Sequence, residues 1–135
     1  MTDDNVATQV IANLVVSDAA GRVLLVRYDA DDEKWWLPGQ DVAPFTHPDD
    51  AASAALAQIG GIACEPPRLH HVESFRGRRG WHLVFHYAVA ASGEPGGGPA
   101  AAWFPADRLP ATRHGGWERQ QVAAVLGRAQ AVPAA

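Results

Sequence analysis

The chain has 135 residues and a mass of 14.4 kDa, which suits one domain, since two would each be too small to hold a core unaided. Apolar residues make up 47% of it, enough to fill a real core, and this excludes a disordered or collagen-like chain. Eleven basic and fifteen acidic residues leave a net charge of −4, without the basic excess that would favour a nucleic-acid polymer as partner.

No apolar run approaches the roughly 18 residues needed to span a membrane. The opening Met1-Thr2-Asp3-Asp4 lacks the cationic-then-apolar order of a secretory signal. The one cysteine, Cys64, cannot close an internal disulfide. Together these lead us to expect a cytoplasmic protein.

In chain order, residues 1–7 are polar and are expected to fray. The β-branched apolar run 10–16 predicts a strand, Ser17-Asp18-Ala19-Ala20-Gly21 a turn, and 22–28 a second strand, so the pair reads as a hairpin. A charged loop covers 29–34, and Trp35-Trp36-Leu37-Pro38-Gly39 forms a short apolar strand stopped by Pro-Gly. A helix starts near His47-Pro48-Asp49-Asp50, with Thr46 or His47 as cap and Pro48 in the first turn, where its missing N–H costs nothing. Ala51, Ala52, Ala55, Leu56 and Ile59 give this helix an apolar face, and Gly60-Gly61 ends it.

Strands over 68–75 and 81–90 flank the turn Arg76-Gly77-Arg78-Arg79-Gly80. A Gly/Pro loop spans 92–99, a short strand 101–104, and a second helix 117–129 carries Val122, Val125, Leu126 and Ala129 at helical spacing. The order β-β-β-α-β-β-β-α predicts a single domain over 1–135 of the α/β (α+β) class, a mixed β-sheet packed between helices, with 130–135 frayed.

A strand hairpin followed by Trp-x-Leu-Pro-Gly, a loop and a helix closing on Gly61-Ile62 resembles the Nudix hydrolase family over nearly the whole chain. Trp103-Phe104-Pro105-Ala106-Asp107-Arg108-Leu109-Pro110 is similar to that family's last strand and turn, and His114-Gly115-Gly116-Trp117 to the approach to its closing helix. The family signature is Gly, five residues, Glu, seven residues, Arg-Glu, an aliphatic, any residue, Glu-Glu, any residue, Gly and an aliphatic. Its first Gly falls on Gln40, the first Glu on Thr46, Arg-Glu on Ala54-Ala55 and Glu-Glu on Gln58-Ile59. Leu56, Gly61 and Ile62 keep the packing positions, while four carboxylates and one guanidinium are gone.

In the family those carboxylates gather Mg²⁺ ions, which neutralise a pyrophosphate and activate water. A methyl group at 55 and a sec-butyl group at 59 cannot ligate a hard cation, and Gln58 offers one neutral carbonyl. The resemblance therefore implies a catalytically degenerate Nudix-fold protein that binds a nucleotide or another small metabolite, with no catalytic box residue and no Mg²⁺ at the box. One alternative is an active pyrophosphohydrolase with ligands relocated to Asp41, Asp49, Asp50 or Glu73. Others are a histidine-cluster enzyme of another reaction type and a structural dimer module.

Six histidines are many for this length. With period two, His82, Val84 and His86 share one strand face, and Trp81, Leu83, Phe85 and Tyr87 the other, which can form the core. His71, Glu73 and Phe75 share a face of the neighbouring strand. A cluster of His71, Glu73, His82 and His86 would suit a transition metal; otherwise the same side chains are polar walls of a pocket. We expect His82, His86 and Glu73 to line a ligand cleft, with Trp36 stacking on a ring, Arg76 meeting a phosphate and Gln58 at the box. The expected partner is a small molecule, with a homodimer also open. Trp81, Trp103 and Trp117 read as packing, His47 as a helix cap, His114 as a surface turn, and Cys64 as inert.

Overall fold

Valine, isoleucine and leucine pack well on a pleated, buried surface, and the first run of them forms the central strand of the structure. The computed structural model describes residues 8–27, 34–77, 80–96 and 100–110. Its elements are β1 (Thr8–Ser17), β2 (Arg22–Arg27), β3 (Gly39–Asp41), α1 (Pro48–Ala57), β4 (Ile62–Cys64), β5 (Arg68–Gly77), β6 (Gly80–Gly93) and β7 (Ala100–Pro105). The helix expected over 117–129, His114, Trp117, Tyr28, Arg78, Arg79 and both termini lie outside the described residues.

The sheet is mixed, in the order β4-β6-β1-β2-β7, with β3 also on β1 and β5 also on β6. β1 runs parallel to β6 over ten register pairs, from Thr8 beside Trp81 to Ser17 beside Ala90. β5 lies antiparallel on the far side of β6, and β2 carries β7 antiparallel. The β1–β2 turn is organised by Asp18, which accepts from the N–H of Ala20 at 3.1 Å and of Arg22 at 2.8 Å, and from Arg22 Nε at 2.8 Å. Burial opposes its ionisation, but the bonds and charge of Arg22 and the Ala20 amide win and hold the Asp18 carboxyl below its usual range. A depressed carboxyl stabilises the fold above the unfolded-state value and loses that contribution as acid protonates it.

Three local expectations change. The short strand expected over 35–39 is displaced: Trp36 forms only a bridge to Val26, and the true third strand is Gly39–Asp41 against Ile11, Ala12 and Asn13. Pro38 has no N–H to donate, so the ladder cannot run through it; its carbonyl instead accepts from Leu14 N at 2.8 Å as the chain crosses from β2 to β1. A short strand, β4, which the sequence pattern did not predict, pairs with the end of β6. Helix α1 ends at Ala57 rather than at the glycines, with Gln58 as its C-cap. Gly61 then takes φ +84°, and a Cβ there would sit 2.5 Å from the Glu94 carbonyl, so only glycine fits.

Helix α1 starts as expected. His47 caps it, with Nδ1 accepting from Asp49 N at 3.0 Å, and Pro48 stands in the first turn. The helix covers one face of the sheet: Ala51, Ala52, Ala55, Leu56 and Ile59 join Ala12, Leu14, Val16, Leu24, Val26, Tyr87 and Val89 in the larger core. A smaller core on the opposite face holds Val15, Val23, Leu25, Leu37 and Leu109, with Trp35, Phe75 and Phe104 packed against it. Asp49 does more than favour the helix dipole. The buried Tyr87 donates its phenol to Asp49 Oδ1 at 2.6 Å, pinning the first turn of α1 to β6. Burial first, and the Asp49 bond and charge second, push the Tyr87 phenol well above its ordinary value, so it stays a donor at any working pH.

The expected division of β6 is also corrected. Of Trp81, Leu83, Phe85 and Tyr87 only Tyr87 is fully buried, and Trp81 is 44% exposed. The supposedly wet alternate face of His82, Val84 and His86 is buried throughout. On that face Phe75 of β5, which packs against the smaller core, stacks on His82, and Glu73 of β5 lies beside His86.

Two stability outcomes follow from the packing. Ala55 and Ile59 are only 4% and 6% exposed in the larger core, so the double substitution Ala55→Glu, Ile59→Glu buries two unpaired carboxylates. It should lower stability by about 3–5 kcal/mol or prevent folding; an unchanged urea midpoint would show that this helix face is wet. Tyr87→Phe should cost about 0.5–1.5 kcal/mol, because Asp49 lies at the surface and regains water when its partner is lost. A loss beyond about 3 kcal/mol in the same titration would mean that the bond anchors far more than one turn.

Candidate functional site

The face of the sheet away from α1 carries an unusual concentration of polar side chains. Alternation along β1 and β6 sends Leu14, Val16, Tyr87 and Val89 toward the helix and therefore Asn13 and His86 to the other side. Register sets the rest. His71 on β5 is beside His86 on β6, His86 is beside Asn13 on β1, and Asn13 is beside Gly39 on β3. One polar row thus crosses three strands and ends on a glycine.

Glu73, two residues along β5, joins this row. Its Oε1 lies 3.2 Å from His86 Nε2 and 3.7 Å from His71 Nε2, so one carboxylate is shared by two imidazoles. The pairing of β5 with β6 is irregular between Leu69 and His71. The ring of His70, left out of the register there, approaches both His71 and His86, and the three centroids lie 5.9–6.3 Å apart. His86 is fully buried, while the side chains of Glu73 and His71 keep 25% and 33% exposure. The row therefore has a sealed inner end and an open outer margin.

His82 sits two residues before Val84 on the same face. It is 5% exposed, stacks flat on Phe75 at 5.1 Å between centroids, and has Nδ1 3.2 Å from the Gly80 carbonyl. It is a packed ring beside the row rather than a member of it. The other sequence candidates lie elsewhere. Trp36 packs against the larger core on the α1 side, Gln58 is exposed at the C-cap of α1, and Arg76 is exposed near the end of β5. The structure brings Glu73, His71 and His86 together and does not bring Trp36, Gln58 or Arg76 to them. Asp41 and Asp50 are exposed, and Asp49 is engaged by Tyr87.

Asn13 was not singled out by the sequence. It is fully buried, and among the described residues neither Nδ2 nor Oδ1 has a hydrogen-bond partner. A Cβ on Gly39 would lie 2.7 Å from Asn13 Oδ1 and 2.6 Å from the Ala12 carbonyl, so the Leu37-Pro38-Gly39 glycine is needed for β3 to approach this carboxamide. The available signal was a polar residue at an inward position of the run Val10-Ile11-Ala12-Asn13-Leu14-Val15-Val16, a local violation of patterning of the kind functional sites show.

Chemically, the row offers imidazoles that donate and accept, one carboxylate, and one carboxamide. Among the described residues no group of three or more His, Cys, Asp or Glu side chains is disposed to hold a metal ion. The box positions do not fit Mg²⁺ either, since Ala55 and Ile59 are committed to the core and Thr46 and Gln58 are exposed neutral side chains. No helix among the described residues is long and apolar enough to cross a membrane.

No family model matches the chain, and no curated protein does. Solved structures do. A UDP-X diphosphatase superposes with a TM-score of 0.73 at 16% identity, covering 92% of this chain and 63% of its own, so the present chain spans less than two-thirds of that protein. A MutT NUDIX hydrolase from Burkholderia pseudomallei gives 0.68 at 22% identity, over 90% of this chain and 98% of the other. An ADP-ribose pyrophosphatase from Streptococcus suis gives 0.66 at 17%, over 91% and 92%. At such identities the likeness is one of fold. The mixed sheet, the helix after Leu37-Pro38-Gly39 and the closing Gly61 are accordingly those of a Nudix-type α+β domain.

Proposed function

We propose that this protein is a Nudix-fold module that binds a small polar molecule, such as a nucleotide or another metabolite, and has given up metal-dependent pyrophosphate hydrolysis. The observation that carries the reading is the burial of Ala55 and Ile59 in the larger core. Positions that would have to present carboxylates to a hard cation present hydrocarbon to Leu14, Tyr87 and their neighbours instead. Relocation of the ligands finds little support: Asp49 is held by Tyr87, and Glu73 lies on the sheet face opposite α1, facing histidines. Binding is assigned to the His71–His86 row, where a half-open carboxylate and imidazole margin leads to a sealed polar end. Such a wall suits a hydrogen-bonding ligand without any metal.

The test is phosphate or nucleoside monophosphate release from a panel of nucleoside diphosphate derivatives, with Mg²⁺ or Mn²⁺ and with EDTA. Turnover should not rise above background with either metal. Metal-dependent turnover abolished by Asp50→Ala or Glu73→Ala would replace this reading with that of an active hydrolase using relocated ligands.

A further inference from the structure

The feature that neither the fold nor the loss of the box accounts for is the carboxamide of Asn13. We infer that Asn13 is the specificity-determining residue of the His71–His86 row, and that the ligand presents to it a planar edge with one hydrogen-bond donor beside one acceptor, as an amide, lactam or ureide does. This rests on the small-molecule reading above and deepens it.

A carboxamide buried with neither end partnered is costly, because its hydration is lost and nothing replaces it. Its neighbours along β1 are Ala12, Leu14, Val15 and Val16, all buried and apolar, so a valine at 13 would continue the pattern at no such cost. Both polar atoms are sealed from solvent, and among the described residues neither has a partner. The group is therefore poised for something other than packing.

Its placement says from which side. Asn13 is in register with His86, and His86 with His71. At one strand spacing per step, the half-exposed imidazole of His71 is about 10 Å from Asn13 across the sheet. A ligand of one or two rings, entering at the His71 and Glu73 margin, spans that distance. The Gly39 backbone closes the inner end, against the carboxamide.

The chemistry of the edge follows from the side chain. A carboxamide holds one acceptor oxygen and one donor NH₂ in a single plane, and its complement is a donor and an acceptor side by side. A phosphate or carboxylate supplies no donor, and an ammonium supplies no acceptor. The ligand's inner end is thus neutral and amide-like, whatever charge it carries at its outer end.

The test uses uniformly ¹⁵N-labelled full-length protein and two probe sets followed by NMR. One set holds uracil, 2-pyridone, hydantoin and nicotinamide, each with a counterpart methylated at every amide N–H, so that no donor is left; the other holds phenol, ribose and inorganic phosphate. The expected result is that at least one amide-bearing probe shifts the Asn13 side-chain NH₂ pair together with the His86 ring. Its N-methylated counterpart should bind at least tenfold more weakly, and so should the parent probe with Asn13→Val, a variant whose thermal midpoint should rise. Should Asn13→Val not fold, Asn13→Thr and the wild-type side-chain shift decide the matter. If probes shift His71 and His86 while the Asn13 NH₂ pair stays still, or if N-methylation and Asn13→Val leave affinity unchanged, the role of Asn13 is overturned and small-molecule binding stands. If no probe of either set perturbs His71, Glu73 or His86, both are overturned.

Discussion

The ten-residue parallel register between β1 and β6 is the constraint on which the rest of the structure depends. Parallel strands place register partners side by side with their side chains on the same face, so a single pairing assigns twenty residues to two environments at once. Leu14 with Tyr87 and Val16 with Val89 make the floor on which α1 packs. Ile11 with Val84 and Asn13 with His86 make the other face. A slip of one residue would exchange the two sets, putting His86 beneath the helix and Tyr87 away from Asp49. The hydrogen bond from Tyr87 to Asp49, 38 residues away in sequence, therefore acts as a check on register, since it forms only when the helix and the strand are both in place.

Once α1 is docked, its chemistry is decided by packing. A ten-residue helix with alanines at 51, 52 and 55 packs on the sheet, and Leu56 in its last turn and Ile59 just past its end join the same core. Small side chains permit close approach and leave no room for solvated carboxylates. The glycine at 61, with its positive φ and its contact with the 94–96 segment, serves the same packing. Leu56 and Gly61, two of the positions that resemble the family signature, are thus explained by the packing of the helix against the sheet.

The opposite face follows a different economy. It carries the cluster of Val15, Val23, Leu25, Leu37 and Leu109 and, beside it, the histidines, Glu73 and Asn13. Polar groups buried at such density are stabilising only when they satisfy one another. Glu73 meets two imidazoles, and His82 is satisfied by stacking on Phe75 and by the Gly80 carbonyl. Among the described residues the Asn13 carboxamide has neither polar atom partnered, and the sheet places it at the closed end of the row.

Much of the architecture was legible in the sequence because it rests on local rules. Apolar runs about a turn marked β1 and β2, period-two alternation sorted the faces of β5 and β6, His47-Pro48 marked the start of α1, and Trp-x-Leu-Pro-Gly with Gly61-Ile62 marked the fold. That Ala55, Gln58 and Ile59 offer no carboxylate was equally plain, and a hard cation prefers oxygen ligands whatever surrounds them. The tertiary structure alone decided which face of β6 is buried, because burial depends on what packs on each face of the sheet, and alternation is blind to that. It alone shifted the third strand to Gly39–Asp41, because Pro38 hands the chain from β2 to β1 only when both are present. It separated Trp36, Gln58 and Arg76 from Glu73 and His86, and it set Asn13 beside His86. These are contacts between strands distant in sequence, fixed by a register that no local pattern encodes.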